Sequence, residues 1–384
     1  MRKSLMLLAA FLVSSAPAAA QLMHFVPVQA GTPEGNAVRE INAATDPTQK
    51  LALIDKLQAD LGSGNDAILA NELYITFYMD AKNYDKAADY AEKQLTADPH
   101  NFYAADSLFR AEDQRHDAAK LIEAGERAGA IIAAYKAEQP PAGADAGWPA
   151  QHQQGLAEQH DEIDYIQRAM LQVVYQTQAP AEKAGLAERF VAAFPDSPYA
   201  ASSESLAAGI YSQLQDNPKM IAAAEKALAI DPNSESMLIL LADYYSSSGK
   251  ELDKADELAK KAIATLPQAT KPAGVSDPDW AKQTQLQMGL AWSAEGQILV
   301  NRHNLDGAVA AFQKASPLLK SDQTTYARNL YRLGYTLALE KKIPEAKAAL
   351  TEAASFNTPY KQSALDTLSK LSAPPKRTAA KDGN

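Results

Sequence analysis

The chain has 384 residues, a formal charge of −10, 46% hydrophobic residues and no cysteine. The missing thiols exclude a disulfide framework, a thiolate metal site, a cysteine nucleophile and a lipid-bearing cysteine, and the acidic balance argues against nucleic acid or anionic lipid as a partner. The length exceeds the roughly 100 to 200 residues of one compact domain, a limit that stacked repeats escape because each touches only its neighbours.

Arg2 and Lys3 precede an apolar run from Leu5 to Val13, and Ala18-Ala19-Ala20 follows. This is the layout of a secretory signal, predicted to be cut between Ala20 and Gln21, because the run is far shorter than the roughly 20 residues that span a bilayer. Cleavage removes Arg2 and Lys3 and takes the formal charge from −10 to −12. No later stretch is long and apolar enough to span, so a periplasmic or secreted protein without a transmembrane segment is expected. Residues 21–35 are apolar and then Gly/Pro-bearing, and read as a loosely ordered leader.

From residue 36 the pattern is helical. Leu51, Ile54, Leu57 and Leu61 form one stripe after Asp46-Pro47, and Gly62-Ser63-Gly64 is a turn fragment without the strand and downstream glycine of a dinucleotide loop. Units of two helices are then predicted near 68–101, 102–138, 164–197, 201–234, 235–268, 289–322 and 327–360, with insertions at 139–163 and 269–288. Residues 361–371 are predicted to cap the array, and 372–384 to be a disordered tail. Glu92-Lys93-Gln94-Leu95 with Asp98-Pro99 returns as Glu225-Lys226-Ala227-Leu228 with Asp231-Pro232, and Pro141-Ala142-Gly143 with Trp148 returns as Pro272-Ala273-Gly274 with Trp280. The two coincidences of order point to duplication of a block of about three units.

The unit from Leu330 to Pro359 is the clearest. Leu330, Leu333, Gly334 and Leu337 lie at helical spacing, Lys341-Lys342 turns the chain, Ile343, Ala346, Leu350 and Ala353 continue, and Pro359 closes. This resembles a tetratricopeptide (TPR) helix pair, with its period of about 34 residues. The segment Phe190 to Ala200 is similar to repeats of bacterial envelope TPR proteins, including outer-membrane assembly lipoproteins and cell-division coordinators. The resemblance spans roughly residues 68–371, lacks the lipoproteins' anchoring cysteine, and implies an all-α fold: a right-handed α-solenoid of about seven helix pairs with a C-terminal capping helix.

In such an array the first helix of each pair lines the concave face. Arg328, Tyr331, Arg332 and Tyr335, spaced i, i+3, i+4, i+7, then put two guanidinium groups and two rings on one face, suited to a carboxylate or to a peptide backbone beside an apolar side chain. Their counterparts include Ile239 and Asp243 in the fifth unit and Glu72, Thr76 and Asp80 in the first. Only Arg328 and Arg332 supply positive charge, so the resemblance does not extend to the TPR clamps that hold acidic chaperone tails. Trp148 and Trp280 are placed in Pro/Gly-bearing loops, either closing those loops or anchoring a partner, and Trp292 is placed in the core. His160 and Asp164 share a helix face without a zinc motif.

No Gly-x-Ser-x-Gly elbow, phosphate loop or histidine–nucleophile pair stands out, so no catalytic, cofactor or metal site is expected. The reading is a non-catalytic scaffold or adaptor that holds a protein or peptide. Its alternatives are a self-associating component of an envelope complex and, third, a binder of glycans or small molecules, or an enzyme.

Overall fold

The computed structural model describes residues 22–61 and 67–372. The signal sequence, its cleavage site, the Gly62-Ser63-Gly64 turn and residues 373–384 of the tail lie outside them. The described chain is all-α: eighteen α-helices and no strand. It divides into two units, residues 1–203 and 204–384.

The first unit contains α1 (Pro33–Ala43), α2 (Pro47–Leu61), α3 (Ala67–Asp80), α4 (Tyr84–Ala97), α5 (Phe102–Arg115), α6 (Ala118–Ala137), α7 (Trp148–Glu158), α8 (His160–Gln176) and α9 (Pro180–Ala193). Helix α10 (Ala200–Gln213) carries the junction. The second unit continues with α11 (Asn217–Ile230), α12 (Glu235–Ser248), α13 (Leu252–Thr265), α14 (Asp277–Asn301), α15 (Leu305–Leu319), α16 (Gln323–Leu339), α17 (Ile343–Ser355) and α18 (Tyr360–Ser372).

One turn recurs inside these helix pairs. Lys82, His116, Gln215, His303 and Lys341 all adopt φ between 55° and 64°. The next residue's N–H in each case reaches the carbonyl five positions back: Asn83 to Tyr78, Asp117 to Glu112, Asp216 to Tyr211, Asn304 to Leu299 and Lys342 to Leu337, at 2.8–3.3 Å. That bond closes the first helix of the pair in Schellman fashion. Asn83, Asp117, Asp216 and Asn304 then cap the second helix by accepting a backbone N–H three residues on. Stop and start signals therefore sit on adjacent residues, and the chain reverses within three or four positions.

Packing follows chain order. In the second unit α12 packs on α13 and α14, α14 on α15 and α16, and α16 on α17 and α18. Small residues set the approach: a Cβ on Gly296 meets the Phe312 ring and one on Gly334 meets Leu350. The first unit follows the same order through α3, α4, α5 and α6, after which α6 packs on α8 and α9 while α7 packs on α8.

Three expectations need correction. The leader is ordered, because Leu22 is buried and residues 22–28 lie against α3 and α5. The insertion at 139–163 contains α7 and the start of α8, and that at 269–288 contains the first three turns of α14, whose Ser276 caps the helix just before Asp277-Pro278. Trp148 and Trp280 therefore lie in first turns of helices rather than in loops. The two Pro-Ala-Gly segments make the same turn: Ala144 N–H donates to Pro141 and Val275 N–H to Pro272, with Gly143 and Gly274 at φ of 86° and 83°, where a residue with a Cβ is strained.

Candidate functional site

Helix α16 presents Arg328, Tyr331, Arg332 and Tyr335 along one side, and α12 meets the two arginines with Asp243. Arg328 Nη1 donates to Asp243 Oδ2 at 2.7 Å and Arg332 Nη1 to Asp243 Oδ1 at 3.2 Å. Arg332 Nη2 also donates to Ser247 Oγ at 2.8 Å. The carboxylate that the two guanidinium groups were expected to take from a ligand is thus supplied by the chain itself.

The electrostatics follow from two cations sharing one anion in a desolvated place. Burial alone raises the Asp243 carboxyl, but Arg328 and Arg332 outweigh it and hold it below the usual carboxylate range. For Arg332, burial comes first and Arg328 adds to it, so its guanidinium is pushed down despite Asp243. For Arg328 the loss of solvation is outweighed by Asp243, and its guanidinium is pushed up. Formally one positive charge is left over, and Arg328 Nε is buried without a hydrogen-bond partner.

Around this cluster the expected residues part company. Tyr331 lies 6.3 Å, ring centre to ring centre, from both Tyr335 and Tyr360 of α18. Tyr335 is 45% exposed, and Leu339, one turn on, is 47% exposed. Ile239 is not on this surface: it is 5% exposed and packs among Leu238, Ala262, Leu266 and Ala291. The reason is that α12 is covered by both α13 and α14, which leaves position 239 facing the core.

The tryptophans stand apart. Trp148 is buried and stacks on His152 at 4.6 Å, which stacks on Tyr135 at 4.1 Å. Tyr135 OH donates to the His152 carbonyl, and His152 Nε2 sits 2.7 Å from the Tyr135 carbonyl, so the trio fastens α7 to α6. Trp280 is half-buried in the first turns of α14, with Thr284 Oγ1 donating to its carbonyl at 2.8 Å. Trp292 packs against the Ala315, Leu319 and Leu350 cluster with Lys314 Nζ over its ring at 4.1 Å.

His160 and Asp164 line a cavity of about 290 Å³ with Lys136, Gln167, Asp196 and Ser197. Three of its polar groups are tied up in pairs at its edge: Lys136 with Asp196, Gln167 with Ser197, and Asp164 with Arg168 outside the lining. Among the described residues no three His, Asp or Glu side chains converge as a metal site would need.

A second surface, in the first unit, escaped the sequence reading. Val26 N–H donates to the Glu72 carboxylate at 3.2 Å, and Asn101 Nδ2 donates to the His24 carbonyl at 2.7 Å. His24 Nδ1 lies 3.0 Å from Asp98 Oδ2, and the Phe25 ring tilts over Tyr103 at 5.0 Å. The available signal was the apolar run Leu22 to Val28 itself, which is too rich in large side chains to stay solvated.

No protein-family model matches this chain, and no curated protein matches it at a significant level.

Proposed function

We propose that the chain is an exported scaffold of the TPR kind, whose helix pairs build right-handed α-solenoid and which binds a protein or peptide along α16 without catalysing a reaction. The recurring pair turn, the packing of α3 on α5, α12 on α14 and α14 on α16, and α18 after the last pair support the architecture. The observation that carries the function is the pair Tyr335 and Leu339, exposed one turn apart on a helix whose arginines are held by Asp243. Large side chains left in water on a firmly seated helix are what an interface anchor needs, because little entropy remains to be lost on docking.

The ion cluster beneath would keep α16 in place while the tyrosine and leucine meet an apolar side chain of the partner. A mature charge of −12 favours a neutral or basic partner. Among the described residues no helix is long and apolar enough to cross a membrane.

The test is capture from envelope extract with the mature chain beside a Tyr335→Ala, Leu339→Ala double variant. A protein retained by the first and lost by the second, with melting temperatures within about 2 °C because the changes are at exposed positions, is the expected result. Equal capture by both would remove α16 as the site, and capture of nothing would remove the reading.

A further inference from the structure

The segment Leu22–Val28 is held at one spot on the molecule by contacts that cross 46, 74 and 77 residues of sequence. These contacts read an extended chain in the way a receptor reads a peptide. Two of them go to the main chain: Glu72 accepts the Val26 N–H and Asn101 donates to the His24 carbonyl. One goes to a polar side chain, His24 on Asp98. Leu22 is sunk to 2% exposure, Met23, Val26 and Val28 pack against the core, and Phe25 leans on Tyr103.

The receptor side is also held by bonds of its own, Asn101 Nδ2 donating to Asp98 Oδ2 at 3.3 Å among them. Asn101 is wholly buried and its Oδ1 caps α5 by accepting the Ala104 N–H at 2.9 Å, which leaves its Nδ2 aimed at the segment. Tyr103 is fixed by a 2.7 Å hydrogen bond between its hydroxyl and Thr76 Oγ1. Glu72 is buried, and Val26 is the backbone donor that meets its carboxylate. A segment of no regular secondary structure, joined to α1 through Gln29–Thr32, thus completes polar groups that belong to α3 and α5.

We propose that Leu22–Val28 is a tethered internal ligand, and that the α3–α5 surface beneath it is a binding site for an extended peptide of the same chemistry. That peptide carries an aliphatic residue, then, two positions on, a histidine or other hydrogen-bond donor, followed by an aromatic and an aliphatic residue. Recognition by main-chain hydrogen bonds and apolar contacts is tolerant of sequence at the exposed positions, so an incoming segment need match only that pattern. The leader and the incoming segment compete for one surface. This site is in the first unit and does not depend on the α16 reading.

The probe is the synthetic peptide spanning residues 22–29, fluorescently labelled, with a scrambled peptide as control. The full chain carrying Val26→Pro and His24→Ala loses the N–H given to Glu72 and the imidazole facing Asp98, and the leader is expected to release. Anisotropy is expected to show at least tenfold tighter binding of the peptide to this chain than to the native chain, no binding of the scrambled peptide, and loss of binding when Glu72→Ala and Asn101→Ala are added. Equal binding of both peptides, or no binding by a variant that keeps its helical circular dichroism, overturns the proposal. Should the variant lose its helical signal, the native chain decides through hydrogen exchange. Peptide on the order of the millimolar effective concentration of a short tether should accelerate exchange at residues 22–28. Unchanged exchange there would equally overturn it.

Discussion

Asp243 answers two guanidinium groups, and the asymmetry between them and it has a measurable consequence. Replacing Asp243 by Ala leaves Arg328 and Arg332 facing each other in a largely buried place with no anion. Breaking a buried ion pair from one side costs about 3–5 kcal/mol, because the remaining charge is uncompensated. Replacing Arg332 instead leaves Arg328 and Asp243 as a matched pair, so Arg332→Ala is expected to cost clearly less than Asp243→Ala. Urea unfolding followed by circular dichroism gives both values; equal losses would mean that the cluster acts through packing rather than charge. The spacing of Arg328 and Arg332 suggests an anion site because these two residues do bind a carboxylate, and it is the chain's own.

At the level of the helices, approach distance is set by where a side chain has been left out. Gly129 on α6 faces the backbone carbonyl of Ala193, and a Cβ there would come within 2.5 Å of that oxygen. Backbone cannot step aside as a flexible side chain can, so Gly129→Ala should lower stability by about 1–3 kcal/mol through overpacking. Gly185 in the interior of α9 has open space around a Cβ. Gly185→Ala should therefore raise stability by about 0.4–1 kcal/mol, since it only restricts the unfolded chain. Thermal melts of the two single variants check both signs, and a neutral Gly129→Ala would show that α9 can shift away from α6. The recurring turn obeys the same economy: a non-glycine residue at positive φ is strained, and in four of the five turns the adjacent Asn or Asp compensates by capping the next helix, while Lys342 has no side-chain cap.

Over the whole molecule, burial and ion pairing displace carboxylates in opposite directions. Among the described residues of the first unit the displaced ones are Glu72, Asp106 and Glu112, all raised, with burial as the largest cause in each. Glu72 goes from 4.5 to about 8; the Val26 N–H opposes that rise and Asp98 adds to it, with His24 paired to Asp98 and the Tyr103 phenol on the facing side. A carboxyl raised on folding holds a proton that the unfolded chain has released, so its contribution falls as pH climbs from about 4.5 to about 8 and is level above that. In the second unit Asp243 and Asp256 are lowered by their arginine and lysine partners against the burial that raises them, and Glu295 is raised by burial. A lowered carboxyl contributes above its unfolded pKa and loses that contribution as pH drops through the folded value. Hydrogen exchange at pH 8, 6 and 5 should show α3 and α5 gaining protection toward pH 5. The α12–α16 contact should hold until the pH falls below the ordinary aspartate range. Glu72→Gln, which keeps an acceptor for Val26, should flatten the first trend, and a slope that survives it would assign the pH response elsewhere.

The legible part of the fold is local. The 3.6-residue stripes such as Leu330, Leu333 and Leu337, the Lys341-Lys342 reversal and the absence of alternating β-branched runs are enough for an all-α chain, because helix periodicity and caps are written within a few residues. Ser276 and Pro278 at the start of α14 are of the same local kind, two residues after the Gly274 turn. Which polar groups are already paired is settled by long-range packing. Arg328 and Asp243 are 85 residues apart, His24 and Asp98 are 74 apart, and no local pattern encodes which distant carboxylate will meet which donor. Helix packing brings those groups together, and the cost of burying an unpaired charge is what then selects their partners.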